Sequence, residues 1–535
     1  MHTTTPEIRH DDQIESFWVS LYFLSRDRSV LFCTAGTILA FAILLAWGLR
    51  APERATIRSL APLEVVRTEL AAVQPDFSAL SAALPAILQD EKKDAVELKA
   101  GLDQAIASSK LSGMEQLALT RYWQSLRTAA GEPDATLLVL AHQPTPLPRA
   151  NELIADLHTR ADHFPAAVMY LEREVEVSGA DSARSKLIDL LLRTRDGNRL
   201  TTLSIDPSFA SYFTPLVRLQ MAREQQSWRN VMAALANVEL EALRPMPLTL
   251  SIVAGLAWFA IALQAIQPVR VAGFRTLAPA LALLAGLLST WPARFITIWL
   301  ADMAGSMKGD TFLGDLLYTF SFAAPAEMVT KLIFTLPFVP FLIRRGSRLE
   351  MLVVCGCVGL GFAIENTMQY YQHAGQIDAF GQLLTANFFH FAATGLAGLV
   401  LCEFLRAPAQ RFMRLLLTLC GIALAQGMYD GFMAVPGLRI LSAASILSFM
   451  VLSLVFFHVL RQERDGVTDQ LSISATLLCG MSVLTGTMLV CASSQLGFFL
   501  ALSTLAANAA GLIVVVCIFF RQLGRGMSAV NPSQV

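Results

Sequence analysis

Apolar runs of about 20 residues recur along this chain, and each is long enough to cross roughly 30 Å of hydrocarbon as a helix. Ten such runs begin near residues 30, 249, 276, 325, 349, 384, 413, 441, 470 and 496. In lipid every backbone N–H and C=O must be bonded within the protein, so segments of this kind fold as helices. A content of 54% apolar and only 16% charged residues agrees with that reading. The expected fold class is all-α: a polytopic membrane protein with about ten transmembrane helices and one extracytoplasmic helical domain. A net charge of −1 with no basic stripe excludes nucleic acid as a partner.

The first run, Val30 to Leu49, follows an acidic leader with Asp11, Asp12 and Glu15 and passes into Arg50 without a small-residue cleavage site. It reads as a retained anchor. Lys and Arg concentrate in alternate loops: Arg26 and Arg28, Arg270 and Arg275, Arg344, Arg345 and Arg348, Arg406, Arg411 and Arg414, Arg461 and Arg464, Arg521 and Arg525. The other loops offer only Lys308 and Arg439. The positive-inside rule therefore predicts a multi-pass protein with both termini cytoplasmic. The expected organisation is a leader at 1–29, an anchor at 30–49, an extracytoplasmic helical domain at 50–247, helices two and three at 248–310, a polar core at 311–435, helices eight to ten at 436–522 and a cytoplasmic tail at 523–535.

The large outer segment has apolar residues at helical spacing, as in Ala150 to His158 and Ser185 to Arg193, and its pattern around 164–177 and 212–236 suggests helix pairs of a tetratricopeptide-like kind without a sustained period. None of the eight cysteines lies in it, so it uses no disulfides. Cys355 and Cys357 fall in an apolar run and read as packing.

Four consecutive apolar segments each carry two polar residues four positions apart: Glu327 and Lys331, Glu365 and Gln369, His390 and Thr394, Gln426 and Asp430. Each pair shares one helix face. A charge in the bilayer costs roughly 3 kcal/mol on insertion scales, so such groups mark a partner or a task. Helical rise puts Glu365 roughly 24 Å from the inner end of its span, His390 roughly 9 Å below the outer surface and Asp430 roughly 26 Å up. The common depth predicts one site opening outward. Phe312 to Ala324 is too short to cross alone and is followed by Pro325, so it is expected to be interfacial or re-entrant, with the span proper starting at Pro325 and kinked by Pro337 and Pro340. Arg294, in the outer half of span three, is a candidate partner for Asp302 or the site carboxylates.

Ala324-Pro-Ala-Glu-Met-Val-Thr-Lys331, Gly359-Leu-Gly-Phe-Ala-Ile-Glu-Asn366 and His390-Phe-Ala-Ala-Thr-Gly-Leu-Ala-Gly398 resemble the motif blocks of PrsW-type intramembrane proteases, which are similar to CAAX prenyl proteases. The family's Glu-Glu-x-x-Lys maps onto Glu327, Met328 and Lys331. Its second block maps onto Phe362, Glu365, Asn366 and Tyr370, its third onto His390 and Thr394, and its His-x-x-x-Asp onto Gln426 and Asp430. The resemblance covers about residues 310–435 and implies a bacterial inner-membrane enzyme acting on a membrane-anchored protein, as relatives act on anti-sigma factors. It also implies a metalloprotease, with zinc the candidate cofactor. Met328 and Gln426 depart from the pattern, removing one carboxylate and one imidazole, which weakens the zinc reading more than a glutamate-activated water.

Peptide hydrolysis in a membrane needs water, a base and an oxyanion donor. Glu327 or Glu365 is the expected base, with His390 polarising the carbonyl or protonating the leaving amine, Lys331 tuning the carboxylates, and Asn366 and Asp430 orienting them. Thr394, Gln426 and Tyr370 are supporting residues, and Glu365, His390 and Asp430 are the metal-ligand candidates. The leading reading is an intramembrane endopeptidase cutting near the outer face. The alternatives are an inactive relative that binds a partner and a proton-coupled transporter or sensor.

Overall fold

The computed structural model describes residues 24–50, 62–72, 75–89, 93–128, 132–178, 180–241, 243–266, 274–304, 312–373, 376–432, 441–464 and 472–523. Asp11, Asp12, Glu15, Arg270, Lys308, Arg439, Arg525 and the tail from residue 524 lie outside them. The chain divides into two compact units: Met1–Ala51 with Glu239–Val535, and Pro52–Val238. Both are helical, and no strand occurs among the described residues.

Among the described residues of the first unit, eight helices are long and apolar enough to cross a membrane, and two bent helix pairs raise the number to ten. Span five, Arg348–Tyr371, and span six, Gly381–Arg406, have 89% and 83% of their apolar windows buried, against at most 50% in the other six long helices, so these two form the centre of the bundle. Lipid tails are as apolar as leucine, so helices associate in a bilayer through close packing rather than burial. Small residues supply that closeness here: a Cβ added to Gly361 would lie 2.0 Å from the Leu283 carbonyl of span three. At the arginine-rich ends, Arg348, Arg411 and Arg414 converge on the buried Glu403 at 2.7, 2.6 and 3.0 Å.

Span four differs from the sequence expectation. Its helix runs from Phe312 through Thr335 without interruption at Pro325, so 312–324 is continuous with the helix that carries Glu327 rather than separated from it, and together with Val339–Arg345 it forms a bent pair of the kind seen in broken spans and re-entrant loops. A π-helical turn at Tyr318–Ala323 immediately precedes Pro325. A π-turn shifts the hydrogen-bond register, which accommodates a residue that lacks an N–H and crowds the carbonyl four positions back. The break comes after Thr335, where the chain bends by 61° into Val339–Arg345 across Pro337.

In the second unit, Ala150–Arg160 packs on Phe164–Ser178, which packs on Asp181–Arg193. One turn recurs three times. Asp162, Arg195 and Gln226 each take left-handed backbone, with φ of 57, 56 and 52°. The residue after each donates its N–H to a carbonyl five positions back, His163 to His158 at 2.8 Å, Asp196 to Leu191 at 3.0 Å and Ser227 to Ala222 at 3.2 Å, which is a Schellman-type helix end. The turn repeats at nearly even intervals, although its left-handed residue is Asp, Arg and Gln in succession. Backbone geometry thus carries a repeat that residue identity hides.

Candidate active site

The residues that bear chemistry come from spans four, six and seven. Glu327 and Lys331 lie one turn apart on Ala324–Thr335, His390 sits within Gln376–Arg406, and Gln426 ends Pro408–Gln426 just before a π-helical turn, Gly427–Gly431, that carries Asp430. Two π-turns therefore flank the site, Tyr318–Ala323 ahead of Glu327 and Gly427–Gly431 around Asp430. They touch each other, and a Cβ on Gly431 would stand 2.3 Å from Thr319 Cγ2. Such turns are frequent at functional sites because they turn side chains off the regular helical face.

Lys331 is the centre of the cluster and is fully buried. Its Nζ donates to Gln426 Oε1 at 3.0 Å, lies 3.2 Å from His390 Nδ1 and 3.7 Å from Glu327 Oε2, and stands over the Phe362 ring at 4.4 Å. Gln426 completes a bridge, its Nε2 donating to Glu327 Oε2. An ammonium group has donors only, so His390 Nδ1 accepts and Nε2 carries the ring proton. That Nε2 is buried without a hydrogen-bond partner, as is Asp430 Oδ2. One side of the site is thus saturated by protein contacts, while the other holds polar atoms left for a ligand.

His390 is seated by close helix packing. A Cβ on Gly359 would lie 2.1 Å from the His390 carbonyl oxygen and 2.5 Å from Thr394 Oγ1, so only glycine lets spans five and six meet there. Gly359→Ala is expected to lower stability by about 1–3 kcal/mol, the usual range for overpacking, and to impair activity by shifting His390. Thermal unfolding and cleavage assays on the purified variant check both.

Glu365 stands apart from this cluster. Its carboxylate faces Arg294 of span three at 3.5 Å, Asn366 Oδ1 accepts from the same guanidinium at 3.4 Å, and Arg294 also pairs with Glu239. Gln369 donates to Glu239 at 2.7 Å. Among the described residues, the three whose ligand atoms lie within 4.8 Å of one another are Glu327, His390 and Asp430, so Glu327 takes the place expected for Glu365. The reason is local: Arg294 neutralises Glu365, as Lys331 does Glu327. Thr394 is fully buried beside His390, and Tyr370 packs partly buried against the main core. Glu239 belongs to neither motif, lies at the end of Trp228–Glu241, and carries no sequence signal that would have singled it out.

Burial and a hydrogen bond shared with the Glu365 carboxyl push Glu239 up to about 8, against the opposing pull of Arg294. A protonated Glu239 donates to Glu365, whose oxygens are otherwise unbonded, and leaves Arg294 with one net negative partner. The folded state then holds a proton that the unfolded chain releases near 4.5, so this stabilisation is complete below that pH and is lost as pH rises toward about 8. Glu239→Gln should flatten the fall in thermal stability over that interval, by up to about 1.4 kcal/mol per pH unit. Melting curves of both proteins across the interval test it.

The cluster falls inside a stretch that known proteins share. The family model of the PrsW family intramembrane metalloproteases matches residues 275–460, a stretch that contains Arg294 and every residue of the cluster. Residues 275–460 are a PrsW-family domain. No curated protein and no solved structure matches the chain. The PrsW match begins at span three and ends within span eight, so it is wider than the motif blocks and includes the Arg294 helix. The PrsW description implies a metal ion, and Glu327, His390 and Asp430 are metal-binding residue types. With Lys331 seated against two of them, however, the residues present do not fit one, because an ammonium group already takes His390 Nδ1 and faces the Glu327 carboxylate.

Proposed function

We propose that the chain is an intramembrane endopeptidase that cleaves membrane-anchored proteins near the extracytoplasmic face. The observation that carries this is the convergence of Glu327, Lys331, His390 and Asp430 from three spans, with a buried imidazole nitrogen and a buried carboxylate oxygen that have no hydrogen-bond partner. A base, an oxyanion donor and room for water are the minimum for amide hydrolysis.

Glu327, whose side chain is 20% exposed, takes a proton from water as the water oxygen attacks the carbonyl carbon. The carbonyl electron pair moves onto oxygen, where the Nε2 proton of His390 stabilises it. Asp430 orients the water through Oδ2. On collapse the carbon–nitrogen bond breaks, and the proton held by Glu327 passes to the departing amine. Lys331, through His390 Nδ1 and Gln426, fixes the imidazole tautomer and offsets the carboxylate charge.

The same reading gives both termini to the cytoplasm and the 50–247 segment to the outside, where it selects or restrains the substrate; an anti-sigma factor is one substrate of the expected kind. The test is a search for fragments of single-pass membrane proteins in cells making the native chain or His390→Ala at equal levels. Fragments present only with the native chain are the expected result. Identical fragment patterns would favour the partner-binding reading, in which Met328 and Gln426 mark lost activity.

A further inference from the structure

The acceptors around Lys331 are arranged as a coordination sphere. Two of them, Gln426 Oε1 and His390 Nδ1, lie at hydrogen-bond distance from Nζ, 3.0 and 3.2 Å, Glu327 Oε2 pairs with it at 3.7 Å, and the face of Phe362 closes a fourth side at 4.4 Å. Nothing in this shell is a donor directed at the nitrogen: Gln426 turns its carbonyl oxygen inward and sends its amide to Glu327. The surroundings are those of a cation.

We propose that Lys331 is the resident cation of this site, held by Gln426, and that it excludes a divalent metal ion from the Glu327, His390 and Asp430 set. The proposal deepens the peptidase reading and concerns the same residues. Zinc bonds imidazole nitrogen at about 2.0–2.1 Å and carboxylate oxygen at about 2.0–2.2 Å. An ion on His390 Nδ1 would have to take the acceptor that Lys331 now uses at 3.2 Å. An ion on Nε2 would move the ring proton to Nδ1 and set an N–H against an ammonium group, donor against donor. Either nitrogen meets the same obstacle. Gln426 matters for the same reason. An imidazole at this position would offer a ligand to a metal, whereas the amide offers its oxygen to the lysine and its N–H to Glu327, tying the ammonium group to the carboxylate.

Zinc binding to the purified full chain tests this without reference to cleavage. Metal content after equilibration with zinc chloride and dialysis, together with calorimetric titration, would be measured for the native chain, Lys331→Ala, and Lys331→Ala combined with His390→Ala. The expected result is no stoichiometric zinc on the native chain, about one ion on Lys331→Ala, and loss of that ion in the double variant. One zinc on the native chain that His390→Ala removes would overturn the proposal. So would a folded Lys331→Ala that takes up none. Lys331→Gln, an uncharged side chain whose amide is long enough to approach Gln426 Oε1, replaces Lys331→Ala if the latter fails to fold. Because the readout is metal content, the role of the lysine is tested even if the chain cleaves nothing.

Discussion

Glu327→Gln should lower the cleavage rate by about 10²–10⁴-fold, the range that a positioned general base contributes. The amide keeps the shape of the side chain and an oxygen to accept from Gln426, so the loss would report the missing base rather than a collapsed site. Glu365→Gln gives the informative contrast. Glu365 faces Arg294 and lies outside the Glu327, His390 and Asp430 group, so its variant should lose far less activity at equal expression. The measurement is the initial rate on one defined membrane-anchored substrate, with melting temperature as the control for folding. Equal losses in the two variants would mean that the base is not Glu327 alone. A reversed order would move the base to Glu365 and with it the position of the attacking water.

The second large effect is expected at Lys331. Lys331→Met retains the length of the side chain and the contact with Phe362 but removes the charge and all three donors. Gln426 Oε1 and His390 Nδ1 then lose their donor, and Glu327 and Asp430 lose their nearby positive charge. Removing one member of a buried ion pair typically costs about 3–5 kcal/mol, so the melting temperature should fall clearly. Activity should fall by about 10²–10³-fold, the usual scale for a lost oxyanion donor, because the tautomer that places a proton on His390 Nε2 is no longer fixed. Lys331→Arg should not restore it, since a planar guanidinium cannot present a point charge to three acceptors in a fully buried space made for an ammonium group. A Met variant with native stability and rate would show that the lysine is a bystander.

Much of the site was legible in the chain because helices make spacing into geometry. Residues four apart share a face, so Glu327 with Lys331 and Gln426 with Asp430 were fixed as pairs as soon as their segments were read as spans. Equal depth along antiparallel spans then predicted that His390 would join them. The role of Glu365 could not be read in this way. Its depth is right, but the azimuth of its helix, and therefore whether it faces Lys331 or Arg294, depends on how span five rotates against its neighbours. That rotation is set by contacts such as Gly361 on the Leu283 carbonyl and Gly359 on the His390 carbonyl. Pro325 stands in the first turn of the Ala324–Thr335 helix as its sequence position implies, but the continuity of that helix with 312–323 was not legible, because a π-turn ahead of the proline absorbs its missing donor.

By itself the sequence determined the all-α membrane fold, about ten spans and the residues from which a polar site would be built, because hydrocarbon thickness and backbone satisfaction leave few alternatives for long apolar runs. Only the tertiary structure decided which carboxylate joins His390, that a lysine sits against both His390 and Glu327, and that Glu239 belongs with Arg294 and Glu365. Those choices rest on helix rotation and on contacts between residues far apart in the chain, which local periodicity does not encode.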